Sequence, residues 1–163
     1  MDGSDIWAWF RTRPLQVGAR APGLTAIDQN GLAVSLDAAF AAGPVLLYFY
    51  VRAGTPVCTA QACRLRDQTV GDAVRDLNIF AVSSDPPKRL RKFAEKRQLP
   101  FRLLSDADGR VAKGFGVRTL FGIPARVAFL ICDGVVVWSG VPRFDKNQLR
   151  EFEKLVRADA IPA

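Results

Sequence analysis

The sequence predicts an α/β domain in which helices cover both faces of a central β-sheet. Two apolar runs, Gly43–Val51 and Leu77–Ser84, lack the polar alternation of half-exposed strands and therefore suit strands buried on both faces. Segments with helical signals follow each run, and this alternation is typical of α/β domains. A length of 163 residues, with 49% hydrophobic and 24% charged residues, suits one globular domain with its own core.

The N-terminal part predicts a short extension and then a β-hairpin. Residues 1–14 carry Trp7 and Trp9 and are interpreted as an extension, which leaves residues 15–163 as a single domain. Two short apolar segments flank Asn30-Gly31, and this dipeptide between strands is a strong hairpin signal. We therefore expect an N-terminal β-hairpin ahead of the first central strand.

Prolines mark the starts of two predicted helices. Pro56 follows the first central strand closely, and proline suits the first position of a helix. After the second strand, Asp85 is predicted as an N-cap and Pro86 as the first residue of a helix that runs to about Arg97. Each central strand is thus expected to be followed by a helix.

The C-terminal part predicts a short strand, a short helix, a hairpin and a long helix. The strand lies in FRLLSD, the helix in GRVAKGFG, and the hairpin turns at Asp133-Gly134. Asp145 and Gln148 have the spacing of a capping box at the start of the last helix. One face of this helix is apolar, with Leu149, Phe152, Leu155 and Val156.

Charge and hydropathy argue against a nucleic-acid or membrane protein. The formal net charge is +7, and the densest basic run, Lys88–Arg97, fits the solvated face of a helix. No helix-turn-helix, zinc or RNA-binding signature accompanies the charge, so no specific nucleic-acid partner is expected. No apolar run reaches the ~20 residues of a membrane span, and the N-terminus does not resemble a secretory signal. We expect a cytoplasmic protein without a membrane partner.

The residue counts limit the chemistry that the chain can perform. It has three cysteines, too few for a disulfide framework, and no histidine. The absence of histidine excludes Ser-His and Cys-His nucleophiles and most zinc sites, and neither a metal nor a cofactor is expected. Cys132 lies in an apolar strand segment and is interpreted as an inert buried thiol.

The other two cysteines, Cys58 and Cys63, lie five residues apart on the helix that Pro56 opens. Cys58 falls in the first turn, where free N–H groups and the helix dipole stabilise a thiolate. Ideal helix geometry separates the two Cα atoms by roughly 8–9 Å, whereas a disulfide needs them within about 7 Å. A bond between them would therefore require the first turns to unwind. A redox pair, half of a metal site and two inert thiols all remain open on spacing alone.

Four segments in the same order resemble the peroxiredoxins, specifically the bacterioferritin-comigratory or peroxiredoxin Q subfamily. FYVRAGTPVCTAQACRLRD (Phe49–Asp67) is similar to the active-site segment of that group, and VGARAPGLTAIDQNGLAVSL to its opening hairpin. AVSSDPPKRLRKFAEKRQLPFRLLSDADGRVAKGFGV resembles the middle helix with the segment after it, and RVAFLICDG the strand that carries an essential arginine. The resemblance implies a thioredoxin-like fold with a central mixed sheet flanked by helices, which also fits the predicted order of elements.

The resemblance also implies an activity and its residues. Cys58 corresponds to the peroxidatic cysteine, which attacks a hydroperoxide and becomes a sulfenic acid, and Cys63 to the resolving cysteine. Thr55 corresponds to the threonine that holds the peroxide oxygens, and Arg126 to the arginine that stabilises the thiolate. The implied partners are a hydroperoxide and a thioredoxin-type reductant, and the implied assembly is a monomer or a weak homodimer. A thioredoxin-like disulfide reductase and a non-catalytic redox sensor are the alternatives.

The chain departs from the family pattern beside Thr55. Val51 stands where the family has a proline, and Gly54 replaces a residue that is usually polar. The proline helps to shield the peroxidatic cysteine, so we expect its loss to affect the rate more than the reaction type. The disulfide-reductase alternative draws on Gly122–Ala125 (GIPA) before a strand, but such enzymes use a C-x-x-C motif that this chain lacks.

Overall fold

The structure is a computed structural model that describes residues 13–69, 77–120 and 123–160. Its centre is a seven-stranded mixed sheet, and a separate two-stranded ribbon lies outside it. The strands are β1 (Thr25–Asp28), β2 (Ala33–Ser35), β3 (Val45–Phe49), β4 (Asn78–Ser83), β5 (Arg102–Ser105), β6 (Thr119–Leu120), β7 (Ile123–Pro124), β8 (Val127–Cys132) and β9 (Val135–Gly140). The described helices are α1 (Leu36–Ala42), α2 (Pro56–Thr69), α3 (Pro87–Arg97), α4 (Arg110–Gly114) and α5 (Lys146–Ala160).

The sheet has the strand order β2-β1-β5-β4-β3-β8-β9. Strand β3 pairs in parallel with β4 and antiparallel with β8, and β4 pairs in parallel with β5. All five residues of β3 are buried, because the strand is central and both of its faces are covered. The prediction of an α/β fold with a central mixed sheet and an N-terminal hairpin is confirmed.

Two apolar clusters fill the space on the two faces of the sheet. One contains alternate residues of β3 together with residues of α1 and α4, including Phe40, and with Phe115, which directly follows α4. The other contains Tyr48 with residues of α2, α3 and α5, among them Cys58, Leu90 and Phe152. The period-two alternation of β3 thus sends Leu47 and Phe49 to one cluster and Leu46 and Tyr48 to the other.

The structure corrects the predicted start of α3. Pro86 is the N-cap and Pro87 the first helical residue, and no side chain caps this helix. A residue before proline is driven towards extended backbone, and Pro86 accordingly has a ψ of 154°. The side chain of Asp85 is therefore not an N-cap, and it makes other contacts that are described below.

Two further elements were not expected. Helix α1 has only seven residues and is capped by Ser35, whose hydroxyl accepts a hydrogen bond from Ala38 N at 3.2 Å. The ribbon of β6 and β7 has two residues in each strand, which is too short for a periodic signal.

One of the two hydrogen bonds of the predicted capping box of α5 is present, because the Asp145 side chain accepts from Gln148 N. The other is not, because the Gln148 side chain accepts from Arg143 N and Phe144 N.

The N-terminal segment is described only from Arg13 onward. Leu15 N donates to Phe115 O at 3.0 Å, and a Cβ on Gly116 would lie 2.1 Å from Arg13 O. The segment therefore packs closely against the residues after α4. Trp7, Trp9 and most of the predicted extension 1–14 lie outside the described residues.

Among the described helices, none has the length and apolar character needed to cross a bilayer.

Candidate active site

The candidate site begins where β3 ends and the chain turns into α2. Thr55 N donates to Arg52 O at 3.4 Å, and Gly54 in this turn has a φ of +86°. A positive φ at the third position is the conformation that type II turns require, and glycine adopts it without steric cost. The departure from the family pattern at Gly54 therefore has a backbone role.

Helix α2 begins at Pro56, as the sequence predicted. Thr55 precedes it, and its carbonyl accepts the first helical hydrogen bond, from Thr59 N at 2.8 Å. The Thr55 hydroxyl donates to Arg52 O at 3.0 Å, which leaves its lone pairs as acceptors. The N–H groups at the start of α2 have no acceptor within the helix, so this end attracts negative charge.

Cys58 lies in this first turn and is 3% exposed. Its side chain belongs to the apolar cluster that contains Tyr48 and Tyr50, while Val51 and Ala53 pack on the same cluster from the loop. The fold thus places the Cys58 thiol at a helix N-terminus and surrounds it with apolar side chains. Thr55 and Cys58 both lie at this start of α2.

Cys63 lies on the same uninterrupted helix and is partly exposed. Both cysteines are free thiols. Since α2 is helical from Pro56 to Thr69, the separation that follows from five helical residues applies to this pair. The two sulfur atoms cannot bond while these turns are intact.

Arg126 is placed near the site by strand register, but its side chain is exposed. Phe49 pairs with Val127 in the ladder between β3 and β8, so the next position sets Arg126 beside Tyr50 at the same edge of the sheet. Within the described residues, the guanidinium takes part in no hydrogen bond or ion pair. The backbone therefore brings Arg126 to the edge of the sheet where β3 ends, and its side chain is not fixed on Cys58.

Asp85 is a site residue whose role the sequence did not indicate. Its carboxylate accepts hydrogen bonds from Ala53 N at 2.7 Å and from the Ser83 hydroxyl at 2.9 Å. It is 5% exposed and also pairs with Arg89 at 3.5 Å. Asp85 thus ties the loop before α2 to the end of β4. Its position two residues after a buried strand, on the neighbour of β3, was the available signal.

Tyr48 and Tyr50 form the wall behind Cys58. Burial raises the pKa of both phenols, and the neighbouring Cys58 thiol adds to the rise. The Ser83 hydroxyl lowers the pKa of Tyr50 in part, although it donates its own hydrogen bond to Asp85. In the described part of the chain, the buried Tyr50 hydroxyl has no hydrogen-bond partner of good geometry. Both side chains are therefore neutral at physiological pH.

Cys132 is buried at the far end of β8. Val127, at the opposite end of this six-residue strand, pairs with Phe49, so Cys132 lies about 17 Å along the strand from the end of β3 that precedes α2.

Across the described ranges, no three acidic, cysteine or histidine side chains form a metal-binding group. The structure thus groups Thr55, Tyr50 and Asp85 around the first turn of α2, which carries Cys58, and Cys63 lies further along the same helix.

Comparison with known proteins shows consistent similarity over this arrangement. Residues 17–139 match the model of the AhpC/TSA family. The chain is 40% identical to the putative peroxiredoxin bcp of Haemophilus influenzae over 151 residues, covering 88% of this chain and 94% of that protein. It is 42% identical to peroxiredoxin Bcp of Escherichia coli over 132 residues, covering 76% and 83%. The crystal structure of peroxidoxin BcpB from Mycobacterium tuberculosis superposes with a TM-score of 0.78 at 34% identity, covering 91% and 99%.

The hydrogen bonds of Asp85 lead to a prediction about stability. Asp85→Ala leaves the Ala53 N–H and the Ser83 hydroxyl without their buried acceptor, and we expect the free energy of unfolding to fall by about 2–4 kcal/mol. Asp85→Asn keeps one acceptor oxygen and should lose about half as much. The matched control is Arg89→Met, which removes only a half-exposed ion pair and should cost under about 1 kcal/mol. Urea unfolding measures all three, and equal losses for Asp85→Ala and Arg89→Met would contradict the anchoring role.

The Tyr50 hydroxyl leads to a prediction about alkaline pH. The raised pKa keeps Tyr50 neutral in the folded protein while the unfolded chain ionises near its ordinary value of 10.0. Stability therefore falls as the pH rises above 10, because the unfolded state then binds fewer protons. Tyr50→Phe removes one of the two tyrosines in the chain, so we expect a decline shallower by about 1.4 kcal/mol per pH unit.

At neutral pH, Tyr50→Phe should leave the free energy of unfolding within about 1 kcal/mol of the wild type, because it removes an unpaired buried hydroxyl. Urea unfolding at pH 7 and between pH 10 and 11.5 provides both measurements. A loss of several kcal/mol at pH 7 would show that the hydroxyl has a stabilising partner.

Proposed function

Since the chain belongs to the AhpC/TSA family and is a thiol-dependent peroxidase, we propose that Cys58 is the residue that reduces the peroxide. The observation that supports this role most strongly is its position. Cys58 is buried in the first turn of α2, at the end of the central strand β3, while Cys63 lies on the same helix. This is the atypical two-cysteine arrangement, with both cysteines in one chain.

The first step is attack of the Cys58 thiolate on one oxygen of a hydroperoxide. The O–O bond breaks, an S–O bond forms, and the departing oxygen takes a proton to leave as water or an alcohol. Cys58 is oxidised to a sulfenic acid by two electrons, and the peroxide is reduced by the same two. The helix N-terminus stabilises the attacking thiolate without a histidine, which the chain lacks.

Thr55 and Arg126 are proposed to position and stabilise the reacting peroxide. The Thr55 hydroxyl directs its hydrogen at Arg52 O, so its oxygen is available to accept the O–H of the peroxide. Arg126 reaches the site from the adjacent edge of β8, and its permanent charge suits stabilisation of the thiolate and of the departing oxygen. Its exposed side chain changes rotamer to do so, since its backbone already lies beside Tyr50.

The second step closes a disulfide. The Cys63 thiol condenses with the Cys58 sulfenic acid, which forms the S–S bond and releases water. This step needs the first turns of α2 to unwind, because the intact helix holds the two residues too far apart. A thioredoxin-type dithiol then reduces the disulfide, restoring both thiols and becoming oxidised itself. We propose a cytoplasmic enzyme that works as a monomer or weak homodimer.

Cysteine variants test the assignment of the two steps. We expect Cys58→Ser to abolish peroxide-dependent NADPH oxidation through thioredoxin and its reductase. Cys63→Ser should lose this turnover while still reacting once with peroxide to a sulfenic acid. Cys132→Ser is the control and should retain wild-type activity. Mass spectrometry of the oxidised wild type should show a Cys58–Cys63 bond, and a bond to Cys132 or between subunits would refute the resolving role of Cys63.

Arg126 variants test the proposed charge stabilisation. Arg126→Met should slow the oxidation of Cys58 by peroxide about 100-fold, in line with the loss of one transition-state donor. Arg126→Lys should recover part of the rate, because it keeps the charge but not the planar fork. Arg150→Met removes an exposed arginine from α5 and serves as control. Rapid quenching with mass spectrometry gives the rates, and oxidation of Arg126→Met at the wild-type rate would exclude Arg126 from the reaction.

A further inference from the structure

Two side chains of α2 bind the segment between β9 and α5. Gln61 Nε2 donates to Pro142 O at 2.6 Å, and Arg64 Nη1 donates to Arg143 O at 2.7 Å. Gln61 lies between the two cysteines and Arg64 directly follows Cys63. We call this pair of hydrogen bonds the helix latch. It spans the part of α2 that unwinds when the disulfide forms.

The segment that receives the latch is itself firmly held. Gln148 of α5 accepts from Arg143 N and Phe144 N at 2.9 and 2.8 Å, and its own amide donates to Val141 O at 3.0 Å. The Phe144 side chain is fully buried, with its ring centroid 5.0 Å from that of Tyr48. The latch therefore fastens α2 to a fixed point on the body of the protein.

Apolar packing holds the first turns of α2 only weakly. The residues that these turns bury are Cys58, Gln61 and Ala62, and two of the three are small. Leu65, the first large apolar residue that the helix buries, comes after Cys63. Since hydrophobic stabilisation scales with buried apolar area, the small buried side chains hold this segment less strongly than large ones would, and the two latch bonds add to that hold.

Unpaired polar atoms in the same segment destabilise the helical form that the latch stabilises. In the described residues, the buried side-chain atoms without a hydrogen-bond partner are Tyr50 OH, Thr59 Oγ1 and Gln61 Oε1. Two of them lie between Cys58 and Cys63, and both gain water when the helix unwinds. A buried unpaired oxygen is costly, so these two atoms lower the free energy needed to open the segment.

The surroundings leave room for this movement. An open groove of about 500 Å³ lies between the first turns of α2 and the segment 142–145. The helix can therefore separate from that segment without displacing a packed element. Upstream, Asp85 holds Ala53 at 2.7 Å, so the loop before Thr55 stays in place.

From these contacts we propose that Gln61 and Arg64 are positioning residues that control the unwinding of α2. By holding the helix they favour the form that reduces peroxide, and by releasing it they set the rate at which Cys63 reaches Cys58. The inference rests on the proposed function for its role in the cycle. Its structural part, control of helix opening, does not depend on activity.

If α2 unwinds too slowly, Cys58 can be oxidised beyond the sulfenic acid. A Cys58 sulfenic acid that waits in the folded site can react with a second hydroperoxide, whose O–O bond breaks to give a sulfinic acid and water or an alcohol. The fraction of sulfinic acid against disulfide therefore reports how fast α2 opens. Weakening the latch should shift this ratio towards disulfide.

Two variants remove the latch bonds with little change in side-chain length. Arg64→Met keeps the aliphatic stem without a donor, and Gln61→Glu places a carboxylate against the Pro142 carbonyl. Arg64→Lys retains a donor and should behave like the wild type. The matched control is Arg66→Met, because Arg66 donates to Arg97 O at 2.6 Å from the same helix but beyond the unwinding segment.

The first measurement is amide hydrogen exchange of residues 57–64 in the reduced protein. We expect exchange to accelerate about threefold to tenfold in Arg64→Met and Gln61→Glu, as the loss of one hydrogen bond implies. Arg64→Lys and Arg66→Met should match the wild type over these residues. Unchanged exchange in both latch variants, or an equal acceleration in Arg66→Met, would overturn the proposal.

The second measurement is mass spectrometry after a titration with hydrogen peroxide in the absence of reductant. The latch variants should need about threefold to tenfold more peroxide to reach the same sulfinic fraction, in proportion to the faster opening. Faster exchange without this shift would overturn the link to disulfide formation. A wild type whose Cys58 does not oxidise would refute the proposed function instead, and hydrogen exchange would still decide whether the latch controls the helix.

Discussion

The spacing of Cys58 and Cys63 on one continuous helix is the constraint on which the rest of the site depends. In the proposed mechanism the helix supports the reactive thiol, because its N-terminal N–H groups favour negative charge at Cys58. The same helix separates the two cysteines by more than a disulfide can span. In the proposed cycle, one helix thus enables the first step and blocks the second. Its neighbours must hold it firmly enough for the first and loosely enough for the second.

The contacts around α2 divide at Thr55 in a way that meets both needs. Before Thr55, the chain is fixed by the hydrogen bond from Ala53 to buried Asp85 and by the bond from Tyr50 N to Val82 O. After Thr55, the helix relies on small buried residues and on the latch, and it carries two buried oxygens without partners. Opening is therefore expected to stop at the loop. The Thr55 end can re-form the site once the thiols are restored.

Local signals made much of the fold predictable from the sequence, whereas contacts distant in the chain were not. Pro56 opens α2 and Asp133-Gly134 turns a hairpin as expected, because proline and glycine act through their own backbone preferences. Gln61 binds a carbonyl 81 residues away, and no pattern in either segment encodes that pairing. The sequence did not indicate the role of Asp85 for a related reason. Two consecutive prolines move the start of α3 by one residue, so Asp85 does not cap the helix, and its carboxylate accepts a hydrogen bond from Ala53 N.

The valine at position 51 is best understood from these same contacts. A proline there would fix the backbone and cover the thiol with an apolar ring. Val51 keeps an apolar cover, since it packs on the cluster that contains Cys58, and its branched side chain has few rotamers. Two residues after Val51, the backbone is restrained instead by the hydrogen bond from Ala53 N to the Asp85 carboxylate. The turn at Gly54 restrains it further. Because hydrogen bonds can break where a proline ring cannot, the loop in this chain depends on Asp85 for the rigidity that positions Thr55 and Cys58.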